Sequence, residues 1–230
     1  MSNEKEIREY VRNKINEFDN EYLIIDEFCG GYMKTRADLA LIKKNSLIFI
    51  EIKSDKDTLT RLENQIRDYS LYSNNVFLFL DIVHKEKFLK IFETYSGFGK
   101  VSAYFWDNGL SKENLHSLEN ALSRVHNHNR QYQMFDLLWS KEKDQFIYFL
   151  KGKSKMNRDK AIKHIFTVNE LIELSNDCLY NRTLKNLGKN KKFSNVNNLQ
   201  FGEVKEIKYK DYKQIMFNDI VNNTNQGLFE

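Results

Sequence analysis

The run N-V-F-L-F-L-D-I, from Asn75 to Ile82, offers almost no polar face to water and therefore reads as a strand covered on both sides. Strands of this kind lie parallel to a neighbour reached through a crossover helix. The sequence supplies both parts. Leu59, Leu62, Ile66, Tyr69 and Tyr72 form a helical stripe starting near Thr58, with Asp55 or Asp57 available to cap it. Before it, Ile48, Ile50 and Ile52 alternate with Phe49, Glu51 and Lys53, which predicts the partner strand. Arg36 to Ile42 is a second alternating segment across the Lys43 to Ser46 turn. Tyr22 to Phe28 is a third, closing on Cys29 and a Gly30-Gly31 turn that supplies positive φ cheaply. Ile7, Val11, Ile15 and Phe18 put an amphipathic helix in front, from Glu4 to Phe18. The expected order is helix, strand, strand, strand, helix, strand.

Alternation also decides where the charges point. Glu51 and Lys53 share the face of Phe49, and Asp38 lies beside Ala40 and Ile42, away from Ala37, Leu39 and Leu41. If the two strands pair across the intervening turn, Asp38 comes near Glu51. Converging carboxylates at a sheet end suit a divalent cation, because Mg²⁺ takes oxygen ligands and keeps several waters. The expected ligands are Asp38, Glu51 and the backbone carbonyl of Ile52, with Glu27 at the end of its strand as a further acid. Lys53 would orient or deprotonate the attacking water. Gln65 projects towards the sheet from the helix, where a polar side chain needs a partner. Arg36 carries a planar fork suited to phosphate, and Ser54 and Arg61 are further candidates for nucleic-acid contact.

At Asp38 and Glu51-Ile52-Lys53 the chain resembles the PD-(D/E)xK nuclease superfamily. The longer run E-I-K-S-D-K-D-T-L-T-R-L-E-N-Q-I-R-D-Y, Glu51 to Tyr69, is similar to a small group of bacterial and phage proteins within it. The resemblance covers about the first third of the chain and departs from the pattern in having Ala37, not proline, before the first acid. It implies a restriction-endonuclease-like αβββαβ core with a mixed four-stranded sheet flanked by helices. It further implies a nuclease dependent on Mg²⁺ or Mn²⁺ that hydrolyses phosphodiester bonds in DNA, with Asp38, Glu51, Lys53 and Gln65 as catalytic residues. Many members dimerise, which makes a homodimer an expectation, and some carry an accessory glutamate on the first helix, for which Glu6 or Glu9 is positioned.

Composition is consistent with this class without selecting it. The net charge of +4 is mildly basic, as suits a nucleic-acid partner, and 30% charged residues predict a soluble chain. Cys29 and Cys178 stand far apart with no C-x-x-C, which argues against a zinc site or a disulfide framework and for a reducing cytoplasm. The first residues lack an apolar signal region, and no run approaches the roughly 20 apolar residues a membrane helix needs. The many Asn, Lys and Ile residues hint at an AT-rich coding genome, of a bacterium or phage.

The remaining chain is read more coarsely. His84 follows the buried strand as a loop residue, with a general-base reading left open. Lys85 to Tyr95 reads as a helix, Lys100 to Asp107 as a strand that extends the sheet, and Ser111 to Val125 as an amphipathic helix. From Asn108 onwards a mainly helical C-terminal extension is expected. His126-Asn127-His128-Asn129-Arg130 is too closely spaced to chelate a metal easily. Phe135 to Trp139 and Phe146 to Leu150 flank a charged turn, and their aromatics, interleaved with Lys141, Lys143, Lys151, Lys153 and Lys155, serve either as core or as base-stacking groups. A helix from Lys160 to Leu174, open to a break near Thr167, precedes a flexible Lys/Asn stretch from Leu184 to Asn198. A closing helix spans Glu203 to Val221. Two functions are carried forward: a metal-dependent nuclease, and a module on the same fold that binds nucleic acid or protein without turnover.

Overall fold

Helix α1 (Glu4–Phe18) starts where the Asn3 side chain accepts a hydrogen bond from the Lys5 amide, and it buries Ile7, Val11 and Ile15 completely. The computed structural model describes residues 3–30, 32–43, 46–73, 75–93, 101–124, 132–139, 141–143 and 167–189. After α1 come β1 (Leu23–Phe28), β2 (Ala37–Lys43) and β3 (Ser46–Lys53), then helix α2 (Leu62–Ser70) and β4 (Asn75–Asp81). This is the order the sequence periods predict. A 3-10 turn (Ile82–His84), helix α3 (Lys85–Glu93), β5 (Val101–Trp106) and helix α4 (Lys112–Arg124) follow. A second 3-10 segment (Tyr132–Leu137) and helix α5 (Val168–Lys189) complete the described chain.

The strands form one mixed sheet in the order β1-β2-β3-β4-β5. β1, β2 and β3 pair antiparallel, whereas β3, β4 and β5 run parallel. The sheet therefore has five strands where the resemblance implied four. β5, within the segment read as a strand from the sequence, supplies the extra one, and the reason lies in β4: Val76 to Leu80 is buried throughout, so its outer edge needs a partner too.

The core on one side of the sheet joins Leu39, Leu41, Ile48, Ile50, Ile52, Phe77 and Phe79 to α1 and to Leu118 and Leu122 of α4. Helix α4 thus belongs to the same core as the expected αβββαβ elements, and that compact unit extends to Lys189. On the opposite face Phe49 meets Tyr69 of α2 with ring centroids 5.5 Å apart. No described helix is long and apolar enough to cross a membrane.

Other departures from the sequence reading have local causes. α2 begins at Leu62, later than the Thr58 expected, because Asp57 closes a turn on the Ser54 amide and hydroxyl and does not cap the helix. Thr167 stands just ahead of α5, where its hydroxyl and amide pair with the Glu170 carboxylate at the helix entry. α5 then continues through Leu184 to Lys189, where a flexible stretch was expected, since burial of Leu179 and Thr183 outweighs the Lys/Asn composition. The helix proposed over 160–166, the His126 to Arg130 cluster, the segment at 144–155, the rest of the Lys/Asn stretch and the closing helix at 203–221 lie outside the described residues.

Candidate active site

The β2-β3 register, Leu39 opposite Ile50, carries forward by one residue to set Asp38 opposite Glu51 on the α2 side of the sheet. At this point side chains replace part of the ladder. The Asp38 carboxylate accepts the Ile52 amide at 2.7 Å, so the contribution of Ile52 in this structure is its N–H.

Glu51 is 2% exposed and surrounded by donors. Its Oε1 accepts from Lys53 Nζ at 2.5 Å and from Gln65 Nε2 at 2.6 Å. Its Oε2 lies 2.7 Å from the Tyr69 hydroxyl, which is also 2.7 Å from the Arg36 carbonyl. One phenolic proton serves both acceptors. Burial first, and the neighbouring Glu51 carboxylate second, raise the Tyr69 pKa above its ordinary value, so that proton stays in place. Lys53 is buried as well, which makes Glu51-Lys53 an ion pair withdrawn from water.

Asp38 has a different environment. Burial, then repulsion from Glu51, pushes its carboxyl up to about 7, against the opposing pull of the Ile52 amide, Lys53 and Arg8. Two acids face to face do not ionise independently. A cation between them would relieve the repulsion.

On the β1 side the acids meet arginines. Glu4, Glu27 and Asp38 bring carboxylate oxygens within 4.8 Å of one another. Arg8 reaches among them, bonding Glu4 at 2.5 Å, Glu27 at 2.9 Å and the Asp38 carbonyl at 2.8 Å. Burial lowers the Arg8 pKa, but its acidic neighbours Glu4, Asp38 and Glu27 outweigh this and raise it. Glu27 has φ 52, a left-handed conformation that a non-glycine residue rarely adopts and that is found at functional sites more often than elsewhere. The kink turns Phe28 onto Phe49, with ring centroids 5.5 Å apart.

The structure thus brings together Asp38, Glu51, Lys53 and Gln65, with Ile52 contributing its backbone, and sets Glu27 beside Asp38. Arg36 is exposed but pairs with Glu27 at 2.8 Å. Ser54 is buried with its hydroxyl on Asp57, and its carbonyl lies 2.7 Å from Nε2 of the buried His84. Arg61 is exposed at the start of α2. On the first helix it is Glu4, in place of Glu6 or Glu9, that joins the acids.

Sequence reasoning missed Tyr69, which it assigned to the core, and Arg8 and Asp68. Asp68 takes the amides of Lys34 and Thr35 and the Thr35 hydroxyl on one oxygen, pinning the β1-β2 loop to α2. Signals existed in the Glu4-to-Arg8 spacing of one helical turn and in an acid three residues beyond Gln65 on an inward face.

The donors fit a hard divalent ion. The second Asp38 oxygen lies 3.6 Å from Arg8, and Glu51 Oε2 keeps acceptor capacity beyond the Tyr69 contact. Among the described residues Gln65 Oε1 is buried without a hydrogen-bond partner, an orphan acceptor that a water ordered in the site would satisfy.

No curated protein shows significant similarity to the chain. A solved structure described as the SPO1766 protein of unknown function from Silicibacter pomeroyi is 14% identical, covering 56% of this chain and 97% of its own, with a TM-score of 0.34. Over residues 1–225 the sequence matches the family model of bacteriophage P4 protein cII, and the chain belongs to that family.

Proposed function

We propose that this protein is a metal-dependent nuclease of the PD-(D/E)xK kind, hydrolysing phosphodiester bonds in DNA on a restriction-endonuclease-like core. The observation that carries the reading is the buried Glu51-Lys53 pair, bound by Gln65 and Tyr69 and set opposite an Asp38 whose carboxyl is pushed up to about 7. A module that only bound nucleic acid would gain nothing from two facing acids, which repel phosphate.

Asp38 and Glu51 would hold Mg²⁺ or Mn²⁺, with Glu27 as a further acid beside Asp38. The ion, when bound, supplies a Lewis acid for the phosphate oxygens. Lys53, fixed by Glu51, donates a hydrogen bond that places the attacking water. Gln65 Oε1 accepts a hydrogen bond from that water and so fixes its orientation. Tyr69 holds Glu51 from the other side, leaving its carboxylate no freedom to rotate.

The test is a panel of single-stranded, duplex and branched DNA with Mg²⁺ or Mn²⁺, wild type against Glu51→Gln. Cleavage by the wild type, lost in Glu51→Gln and in Asp38→Asn with folding retained, is the expected result. No cleavage of any substrate with either metal, and binding indifferent to metal, would instead make the chain a binding module.

A further inference from the structure

The aromatic segment that the sequence left open between core and base stacking divides into both. Phe135 and Leu137 are buried, but Trp139 is 56% exposed. Its ring is not loose: the Arg182 guanidinium lies 4.4 Å from the ring centroid, itself tied to Glu142 at 3.1 Å. The Trp139 amide donates to the same Glu142 carboxylate at 2.7 Å. One face of the indole is thus covered by a partly buried cation and the residue stays substantially open.

A second open ring stands nearby. Tyr32, in the β1-β2 loop, is 67% exposed, and Lys143 Nζ lies 5.6 Å from its centroid. The Lys143 amide donates to the Trp139 carbonyl at 2.9 Å, so one residue bridges the two aromatics. The same loop is pinned by Asp68 through Lys34 and Thr35 and touches the Glu51 network through the Arg36 carbonyl and Tyr69. Lys34 and Lys141, next to these rings in sequence, are exposed.

We propose that Trp139 and Tyr32 form a stacking platform for unpaired nucleotide bases, delivering a single-stranded segment of nucleic acid to the acids at the sheet end. The nature of the partner rests on the nuclease reading; the platform itself rests on ring exposure and support. Cation-backed aromatics take any base on their open faces, and flanking lysines take the phosphates between. A ring held on one side loses little freedom on stacking. A protein core would have buried these rings, and duplex DNA keeps its base faces stacked inside.

Tryptophan fluorescence reads the proposal directly. The chain has two tryptophans, and Trp106 is 3% exposed in the core, so quenching by added DNA reports Trp139. With the full chain and no divalent cation, a single-stranded oligothymidine is expected to quench emission. Trp139→Ala should weaken its binding, read by anisotropy of a labelled oligomer, by on the order of 10-fold. Trp139→Phe should keep most of the affinity, and duplex of equal length should quench much less. Unchanged emission, or equal affinity in Trp139→Ala, overturns the platform. So does self-association of the wild type that Trp139→Ala abolishes, which would make the surface an interface between copies. Cleavage without quenching sinks the platform alone, and quenching without any cleavage sinks the nuclease reading alone.

Discussion

Asp38 is the residue whose chemistry depends most on its neighbours. Its folded pKa of about 7 lies above the ordinary 3.8, so the folded chain holds the proton more tightly than the unfolded chain does. The linked stability is fully present below the unfolded value and is lost as pH rises through about 7. Asp38→Asn cannot ionise. It should therefore melt above the wild type at pH 8, with the gap closing towards pH 4, as thermal scans across that range will show. Binding of Mg²⁺ by the wild type at pH 7 should release protons, visible as a calorimetric heat that varies with the buffer's ionisation enthalpy. Lys53 gives a complementary test. Lys53→Ala leaves the Glu51 charge buried without its ion partner, a loss of about 3 kcal/mol in metal-free protein, and added Mg²⁺ should restore part of it where it restores nothing in Glu51→Gln. Alternation made Asp38, Glu51 and Lys53 legible in the sequence, because a period of two fixes which side chains share a face. Tyr69 was not legible in this way, since a tyrosine on a buried stripe looks the same whether its hydroxyl touches a carboxylate or only packing.

Among the elements, α2 organises the site. Its inner face carries Gln65, Asp68 and Tyr69 alongside Leu62 and Ile66, so a short helix presents polar groups to both the sheet and the β1-β2 loop. Periodicity predicts such a helix but assigns its inward positions to apolar packing, which is why Asp68 went unread. Asp68→Ala should remove a buried acceptor for three donors and cost about 1–3 kcal/mol. Hydrogen exchange offers the sharper measurement. The Lys34 and Thr35 amides should lose protection while those of β2 and β3 keep theirs. At β1 the Glu27 kink is a feature that no period reveals, since regular alternation assumes regular backbone.

For the molecule as a whole, the order from α1 to β4 follows from sequence because each element has a clear period and short connections. The fifth strand, legible as a strand between Lys100 and Asp107, completes the edge of β4, whereas the length of α5 depends on tertiary partners: it persists past its apolar residues by packing against β1, β2 and the 3-10 segment. Since α1 and α4 share one core, Ile7→Ala and Leu118→Ala, each costing about 2–5 kcal/mol, should lower a single transition seen alike by near-ultraviolet circular dichroism and by Trp106 emission. Two separate transitions would show that α4 melts alone. The single hydroxyl proton of Tyr69 has a consequence for motion. Glu51 and the Arg36 carbonyl compete for it, so whatever neutralises the acid surrenders the proton to the backbone and tethers the strap of chain above. Loading with Mg²⁺ should thus quieten the segment holding Tyr32, making occupancy of the acids audible at a distance as slower amide exchange there.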